Sequence, residues 1–398
     1  ATIEIYTLSL HDALPIFFGP GRISELGKLT AGIGNRAVVV IGGGSVRNNG
    51  TLDKAVKSLE AARVAIQVFE GVEPNPRIST VRRGIDAIRA FRGNVVIALG
   101  GGSVMDAAKV MAAGALYDQD PWKMCKVSQA KPVAPTASLP VITVPTLAAT
   151  GSEMNCNAVI TNWEANMKAA AIYPILYPKL ALMDPELTVT VPKYHTAAGV
   201  VDIITHVTEG YFNAQPGTPL QDRMAEAVIS TAIEHGARAV ADGSDLAARE
   251  AVMWASTVAL NNWIHVGWNA PFPCHGMEHV LSAHYDVSHG AGLAVISPSW
   301  MRFVVRRVGP GKWAGFARRV MGVDCADDVE AALLGIDRLE EFFTSIGAPT
   351  RLSGLGIPAA EIRRLAEDTV RVFGVNGAIA GLPPLTVDDI ESILNSAA

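Results

Sequence analysis

The chain is expected to fold as an α/β domain built on a parallel sheet, followed by an all-helical domain. Three observations predict this. Between residues 37 and 184, short β-branched runs alternate with amphipathic stretches, the rhythm of strands joined by crossover helices. Glycine-rich turns directly follow two of those runs. After Pro192, alanine-rich segments with a 3.6-residue period succeed one another to the end. The boundary is placed so that 1–191 form the first domain and 192–398 the second.

In chain order, AVVVI (37–41) reads as a strand, TLDKAVKSLEAA as a helix and AIQVFEGV as a second strand. EPNP (73–76) is a turn, ISTVRRGIDAIRAF a helix and NVVIALG (94–100) a third strand. SLPVITVPT (138–146), NAVITN (157–162) and KLALMD (179–184) add further strand-like pieces. Helices are expected over 193–212, 218–240, 245–264, 326–346 and 359–373. The first residues stand apart, because YTLSLHDALPI resembles a translated sequencing adapter and makes 1–16 suspect as native sequence.

A length of 398 residues with 49% apolar and 18% charged side chains suits a two-domain enzyme and excludes a disordered chain. The net charge of −5, without a Lys/Arg run, argues against a nucleic-acid partner. No uninterrupted apolar run approaches ~18 residues, so no membrane span is expected. Cys125, Cys156, Cys274 and Cys325 are scattered without a CxxC pair, which implies a reducing, cytoplasmic setting.

HGMEHVLSAHYDVSHG (275–290) holds four of the nine histidines. His275 and His279 are four apart and share a helix face, whereas His284 points to the opposite side and reads as an ordinary satisfied histidine. On one straight helix His289 would lie ~21 Å up the axis from His275, so a shared metal requires the helix to break. Asp286, Ser288 and Gly290 supply turn chemistry for that break. A second pair, Asp202 and His206, is spaced i, i+4 within AAGVVDIITHVTEGY (197–211). One carboxylate with three imidazoles suits Fe²⁺ or Zn²⁺ better than the oxygen-loving Mg²⁺ or Ca²⁺.

GGGSVMDAAK (100–109) follows a strand and opens a helix, so its amides and the helix N-terminus attract phosphate, although the spacing is not GxGxxG. GGGSVRNNG (42–50) is a second such loop, with Gly43 and Gly44 leading to Ser45 and Arg47. Two loops at neighbouring strand ends suit a dinucleotide in a Rossmann-like layer. With no acid in the first loop, Ser45 and Arg47 are assigned to a 2′-phosphate, favouring NADP(H) over NAD(H); Arg47 as a solvated surface charge is the competing reading. PTLAATGSEMNCN (145–157) offers Thr146, Thr150 and Asn157 to a cofactor channel.

GGGSV (42–46), EPNP, GGGSVMDAAK, PTLAATGSE (145–153), DPELT (184–188), VVDIITHVTE (200–209) and the histidine stretch occur in the order and spacing of a known family. From Phe17 to the C-terminus the chain resembles the iron-containing (group III) alcohol dehydrogenases, with the butanol dehydrogenase and NADPH-dependent aldehyde reductase branch the nearest likeness. The resemblance implies a dehydroquinate synthase-like architecture, a homodimer, and Asp202, His206, His275 and His289 as metal ligands. It implies that His279 is a polar neighbour acting near substrate and nicotinamide. It further implies that Gly101, Gly102 and Ser103 cradle the pyrophosphate beside Asp106, that Thr146 and Thr150 line the cleft, and that Lys168 contacts the cofactor ribose. Two departures stand out: the suspect N-terminal segment replaces the usual first strand, and Leu147 and Ala148 replace smaller or hydroxylic residues.

The expected activity is reversible hydride transfer between NADP(H) and short-chain primary alcohols or aldehydes. An NAD(H)-linked polyol dehydrogenase, a metal-dependent hydrolase and a catalytically inert nucleotide sensor are the alternatives. Trp263, Trp268, Phe272 and Met277 near the histidines favour a less polar substrate over a polyol.

Overall fold

A computed structural model describes residues 15–128, 130–214, 217–268 and 270–398. Most of the suspect N-terminal segment, residues 1–14, lies outside the described residues. The strand β1 (Ile16–Phe18) nevertheless forms and pairs in parallel with the later strand β8 (Leu180–Met183), Ile16 facing Ala181. Between them run α1 (Leu26–Ala31), β2 (Arg36–Gly42), α2 (Ser45–Asn48), α3 (Thr51–Ala61), β3 (Ala65–Val72), α4 (Ile78–Phe91), β4 (Val95–Gly100), α5 (Gly102–Gly114) and β5 (Val141–Pro145).

The six strands form one parallel sheet in the order β1-β8-β5-β4-β2-β3. The inner strands read as nearly unbroken apolar runs because both faces are covered, whereas the edge strand β3 carries Gln67 and Glu70. Val38, Val40, Val96 and Ala98 pack on one side with Val81, Ile85 and Ile88 of α4 and Met105 and Met111 of α5. Val39, Ile41, Ile97 and Leu99 pack on the other with Leu52 and Leu59 of α3. The chain leaves β2 toward β3 on one side and, after returning, leaves β4 toward β5 on the other. That reversal puts the topological switch point between β2 and β4, and the two glycine-rich loops are the turns that leave these strands.

NAVITN does form a strand, β6 (Asn157–Asn162), but outside the parallel layer: it pairs antiparallel with β7 (Met167–Ile172) in a separate two-stranded unit. The remaining chain is helical: α6 (Lys193–Asn213), α7 (Pro219–Ala241), α8 (Leu246–Ala259), α9 (Pro273–Tyr285), α10 (His289–Val308), α11 (Gly311–Arg319), α12 (Asp328–Ser345), α13 (Ile362–Phe373) and α14 (Val387–Ser396). This half is not entirely helical, because β9 (Ala378–Ile379) and β10 (Leu385–Thr386) form a short antiparallel pair. The helix expected over 245–264 stops at Ala259. Asn262 adopts a left-handed φ of 71° and the Asn261 side chain accepts from the Trp263 amide, so local side-chain bonds outcompete another helical turn.

Helix α6 runs through the middle of this core, with Val200, Ile203, Ile204 and Val207 fully buried. Its buried polar residues are therefore costly unless partnered. The expected break occurs between α9 and α10, with Asp286 at φ 53° as the left-handed cap. Gly290 differs from expectation in lying within the first turn of α10, where a Cβ would come 1.9 Å from the Ala198 carbonyl oxygen. It serves close packing of α10 on α6 instead of the turn.

Candidate metal and dinucleotide site

The break folds the chain back so that the His275 and His289 rings lie 5.1 Å apart, against ~21 Å on a straight helix. Both face α6. Asp202 Oδ1 is 3.5 Å from His206 Nδ1, 3.7 Å from His275 Nε2 and 3.5 Å from His289 Nε2. Donor atoms bound ~2.1 Å from one cation at tetrahedral angles stand ~3.4 Å apart, so this spacing fits a shared ion and is too long for hydrogen bonds. Asp202 Oδ1, His206 Nδ1 and His275 Nε2 are buried without a hydrogen-bond partner among the described residues. Buried orphaned atoms of ligand type, two of them within 4 Å of the same Asp202 oxygen, suit a divalent cation. Asp202, His275 and His289 form the tightest group, with ligand atoms within 4.8 Å of one another; His206 adjoins it, its ring stacked on His275 at 4.6 Å.

Two buried glutamates orient the outer nitrogens. The Glu209 carboxylate accepts from the Cys274 amide and lies against His275 Nδ1. Glu278 lies against His289 Nδ1, accepts from Ser282 Oγ and pairs with Lys168 at 3.3 Å. Each fixes Nδ1 as the donor and leaves Nε2 free for a cation. Glu278, His279 and His289 also form a possible ligand group, but Glu278 is already committed to Lys168 and Ser282.

The electrostatics match this division. Burial opposes ionisation of Asp202, but His206, His289 and His275 outweigh it and hold the carboxyl down at about 2. Burial pushes His206 down to about 3 and, with the Lys168 charge, drives His279 and His289 well below their ordinary value. At His275 burial again opposes the charged form, yet Glu209 and Asp202 raise it to about 10, so cation binding there must release a proton. His279 sits one turn beyond His275, its Nδ1 buried and without a partner among the described residues, between the rings of His289 at 5.6 Å and Phe373 at 5.8 Å.

The residues expected to face a nucleotide gather at the carboxyl ends of β2, β4 and β5. Gly44 is left-handed at φ 110°, and a Cβ on Gly43 or Gly44 would meet nothing within 4 Å, so the backbone lies open to a ligand. Gly102 begins α5, where a Cβ would come 2.5 Å from Thr150 Cγ2; only glycine lets the 145–150 loop close over the helix start. The Thr146 amide bonds the Gly100 carbonyl and keeps that loop beside the Gly101–Ser103 turn. The N-cap of α5, Gly101, has no side-chain cap, so the first amides of the helix are left for a ligand such as phosphate.

The remaining candidate residues have partners of their own within the fold. The Ser103 hydroxyl is donated to the Pro74 carbonyl. Both oxygens of Asp106 are taken, by Ser152 Oγ at 2.6 Å and the Val159 amide at 2.8 Å, so it braces the 152–159 segment. The Asn157 carbonyl accepts from buried Lys109. Lys168 reaches Asn75 Oδ1 at 3.0 Å, Glu278, and His289 Nδ1 at 3.5 Å, on the metal side of the cleft. Arg47 pairs with Glu70 at 2.7 Å. Of the four apolar residues, Phe272 packs 5.5 Å from His275, whereas Met277 and Trp268 belong to the core and Trp263 is 59% exposed. His284 pairs with Asp368 at 2.8 Å, away from the group.

Sequence reasoning missed Glu209, Glu278 and Phe373. For the two glutamates a signal existed: each follows a candidate ligand by three positions, one helical turn on, within an otherwise apolar face.

Residues 15–185 match the family model for iron-containing alcohol dehydrogenase, and 196–398 match the C-terminal model of the Fe-containing alcohol dehydrogenase family. The chain is 39% identical over 393 residues to NADH-dependent butanol dehydrogenase A of Clostridium acetobutylicum, covering 98% of this chain and 100% of that one. It is 33% identical to the NADPH-dependent aldehyde reductase YqhD of Escherichia coli over 92% of this chain and 95% of the relative. The crystal structure of NADH-dependent butanol dehydrogenase A from Thermotoga maritima superposes with a TM-score of 0.91, at 35% identity and 97% coverage of both chains.

Proposed function

The chain belongs to the iron-containing alcohol dehydrogenase family, in its butanol dehydrogenase and aldehyde reductase branch, and on that premise we propose that it interconverts short-chain primary alcohols and aldehydes. The observation that carries this reading is the close group of Asp202, His275 and His289, with His206 Nδ1 3.5 Å from the same Asp202 oxygen, within the same molecule as two glycine-rich turns at a sheet switch point. A cation held by the first set supplies Lewis acidity toward the substrate oxygen, while a nicotinamide dinucleotide held by the second gives or takes the hydride.

The chain's own residues do the rest. Asp202 would supply the full negative charge and His206, His275 and His289 neutral nitrogen donors to a bound cation. Glu209 and Glu278 hold the His275 and His289 rings with Nε2 turned toward Asp202. His279 Nδ1, unpartnered and beside the group, is placed to accept the alcohol proton or return it to the aldehyde oxygen through water. Phe272 and Phe373 flank the histidines and favour an alkyl chain over a polyhydroxylated one. For the nucleotide, the assignment of NADP(H) rests on Ser45 and Arg47, and Arg47 serves a 2′-phosphate only when released from Glu70.

The test is to mix metal-loaded protein with butanal and reduced nicotinamide dinucleotide and follow the loss of reduced-nicotinamide absorbance. Turnover that stops on chelation and returns with Fe²⁺ or Zn²⁺ is the expected result. Ester hydrolysis without dinucleotide would identify a hydrolase instead, and metal content without turnover over an aldehyde panel would identify a sensor.

A further inference from the structure

One charged pair lies at the nucleotide end of the sheet and has no part in the chemistry at the metal. Strands β2 and β3 pair in register from Arg36 with Ala65 to Val40 with Phe69, but the next pair is Gly42 with Val72. Two residues of β3, Glu70 and Gly71, therefore stand opposite one of β2, and Gly71 takes a left-handed φ of 99°. This is a β-bulge, a device that bends a strand end and re-aims a side chain. Here it sits where β3 leaves the sheet, beside the Gly42–Ser45 turn. Glu70 meets Arg47 of that turn with both carboxylate oxygens, Arg47 Nη2 at 2.7 Å and Nε at 3.4 Å. Both side chains remain about half exposed, so the pair is open to a ligand and contributes little to stability.

In sheets of this class an acid at the end of the strand that follows the first glycine turn accepts from the ribose 2′-hydroxyl, while a nearby arginine receives a 2′-phosphate. This chain has both groups, clasped together. We propose that Glu70, aimed by the bulge, is a specificity-determining residue that selects NAD(H): it accepts from the adenosine 2′-hydroxyl and holds Arg47 away from a 2′-phosphate. A 2′-phosphate entering there meets a carboxylate of like charge and an arginine whose fork is already filled. The proposal rests on the dinucleotide-dependent reading above. It departs from the NADP(H) reading, which was drawn from the first loop alone and lacked the acid supplied by the next strand.

The experiment measures dissociation constants of NADH and NADPH by fluorescence titration for the wild type, Glu70→Gln, and the double variant Glu70→Gln/Arg47→Ala. No turnover is needed, and Glu70 lies on the surface, so thermal melting verifies that the fold is kept. The wild type is expected to bind NADH more tightly. Loss of one repulsive charge and release of Arg47 move the NADPH-to-NADH affinity ratio about tenfold or more toward NADPH in Glu70→Gln. The double variant gives that gain back, because the phosphate then has no guanidinium. A ratio in Glu70→Gln within about twofold of wild type, or a wild type that already prefers NADPH, overturns the selector while leaving the dehydrogenase reading intact. A wild type that binds neither dinucleotide overturns both.

Discussion

Replacing Glu209 by glutamine tests how the ligand set is held. The Glu209 side chain has no exposed surface, and its two oxygens serve the Cys274 amide and His275 Nδ1. Glutamine keeps the volume but can present its oxygen to only one of them. With the oxygen on the Cys274 amide, the side-chain NH₂ faces His275 Nδ1 and forces that nitrogen to accept. The proton then moves to Nε2, the atom 3.7 Å from Asp202, and the ring can no longer donate a lone pair to a cation. With the oxygen on His275, the first turn of α9 carries an unsatisfied amide, which costs about 1–3 kcal/mol of stability. Outer-sphere losses of this kind reduce metal affinity about 10–100-fold, or about 1.4–2.7 kcal/mol. The assay is competition for Zn²⁺ against a chromophoric chelator, with a melting curve on the metal-free protein to separate binding from folding. Zinc affinity in Glu209→Gln within about twofold of wild type would refute the reasoning.

His279→Ala is expected to retain the metal and slow turnover by about 10²–10⁴-fold, read by elemental analysis beside steady-state rates; loss of the metal would make His279 a ligand. His265 is half-buried, but both its ring nitrogens are shielded from solvent and have no hydrogen-bond partner among the described residues, and desolvation lowers it to about 4. A histidine with a depressed folded value favours folding above its unfolded value of ~6.5 and loses that contribution as pH falls through the folded value. The wild type should thus lose about 3 kcal/mol more than His265→Phe between pH 6.5 and 4 in chemical denaturation, and parallel profiles would contradict the burial of this ring.

The residues that made the site legible were those whose spacing is itself geometry. His275, His279 and His289 cannot share a cation on a straight helix, and Asp286, a residue that tolerates the left-handed cap, marks where the helix stops. The packed side also explains itself from the other end: Asn75 Nδ2 bonds Asp286 Oδ1 at 2.8 Å and Arg77 pairs with it at 2.7 Å, so the EPNP loop of the first half holds the break in the second. No local pattern announces that link, because its members are some 210 positions apart. Glu209 and Glu278 were hidden for a related reason: a helical glutamate is ordinarily a solvated charge, and only tertiary packing buries it. NAVITN has the alternation of any strand, and alternation does not name its partner. The bulge that aims Glu70 depends on a register between two strands and is equally absent from either sequence alone.

The central claim is that one carboxylate and three imidazoles from α6, α9 and the start of α10 hold a single cation beside a bound dinucleotide. Elemental analysis of purified wild type and His275→Ala, each paired with a fluorescence titration of NADH, tests it most directly. One Fe or Zn per wild-type chain, lost in the variant while NADH still binds, is the predicted result. Equal metal content in both proteins would contradict it.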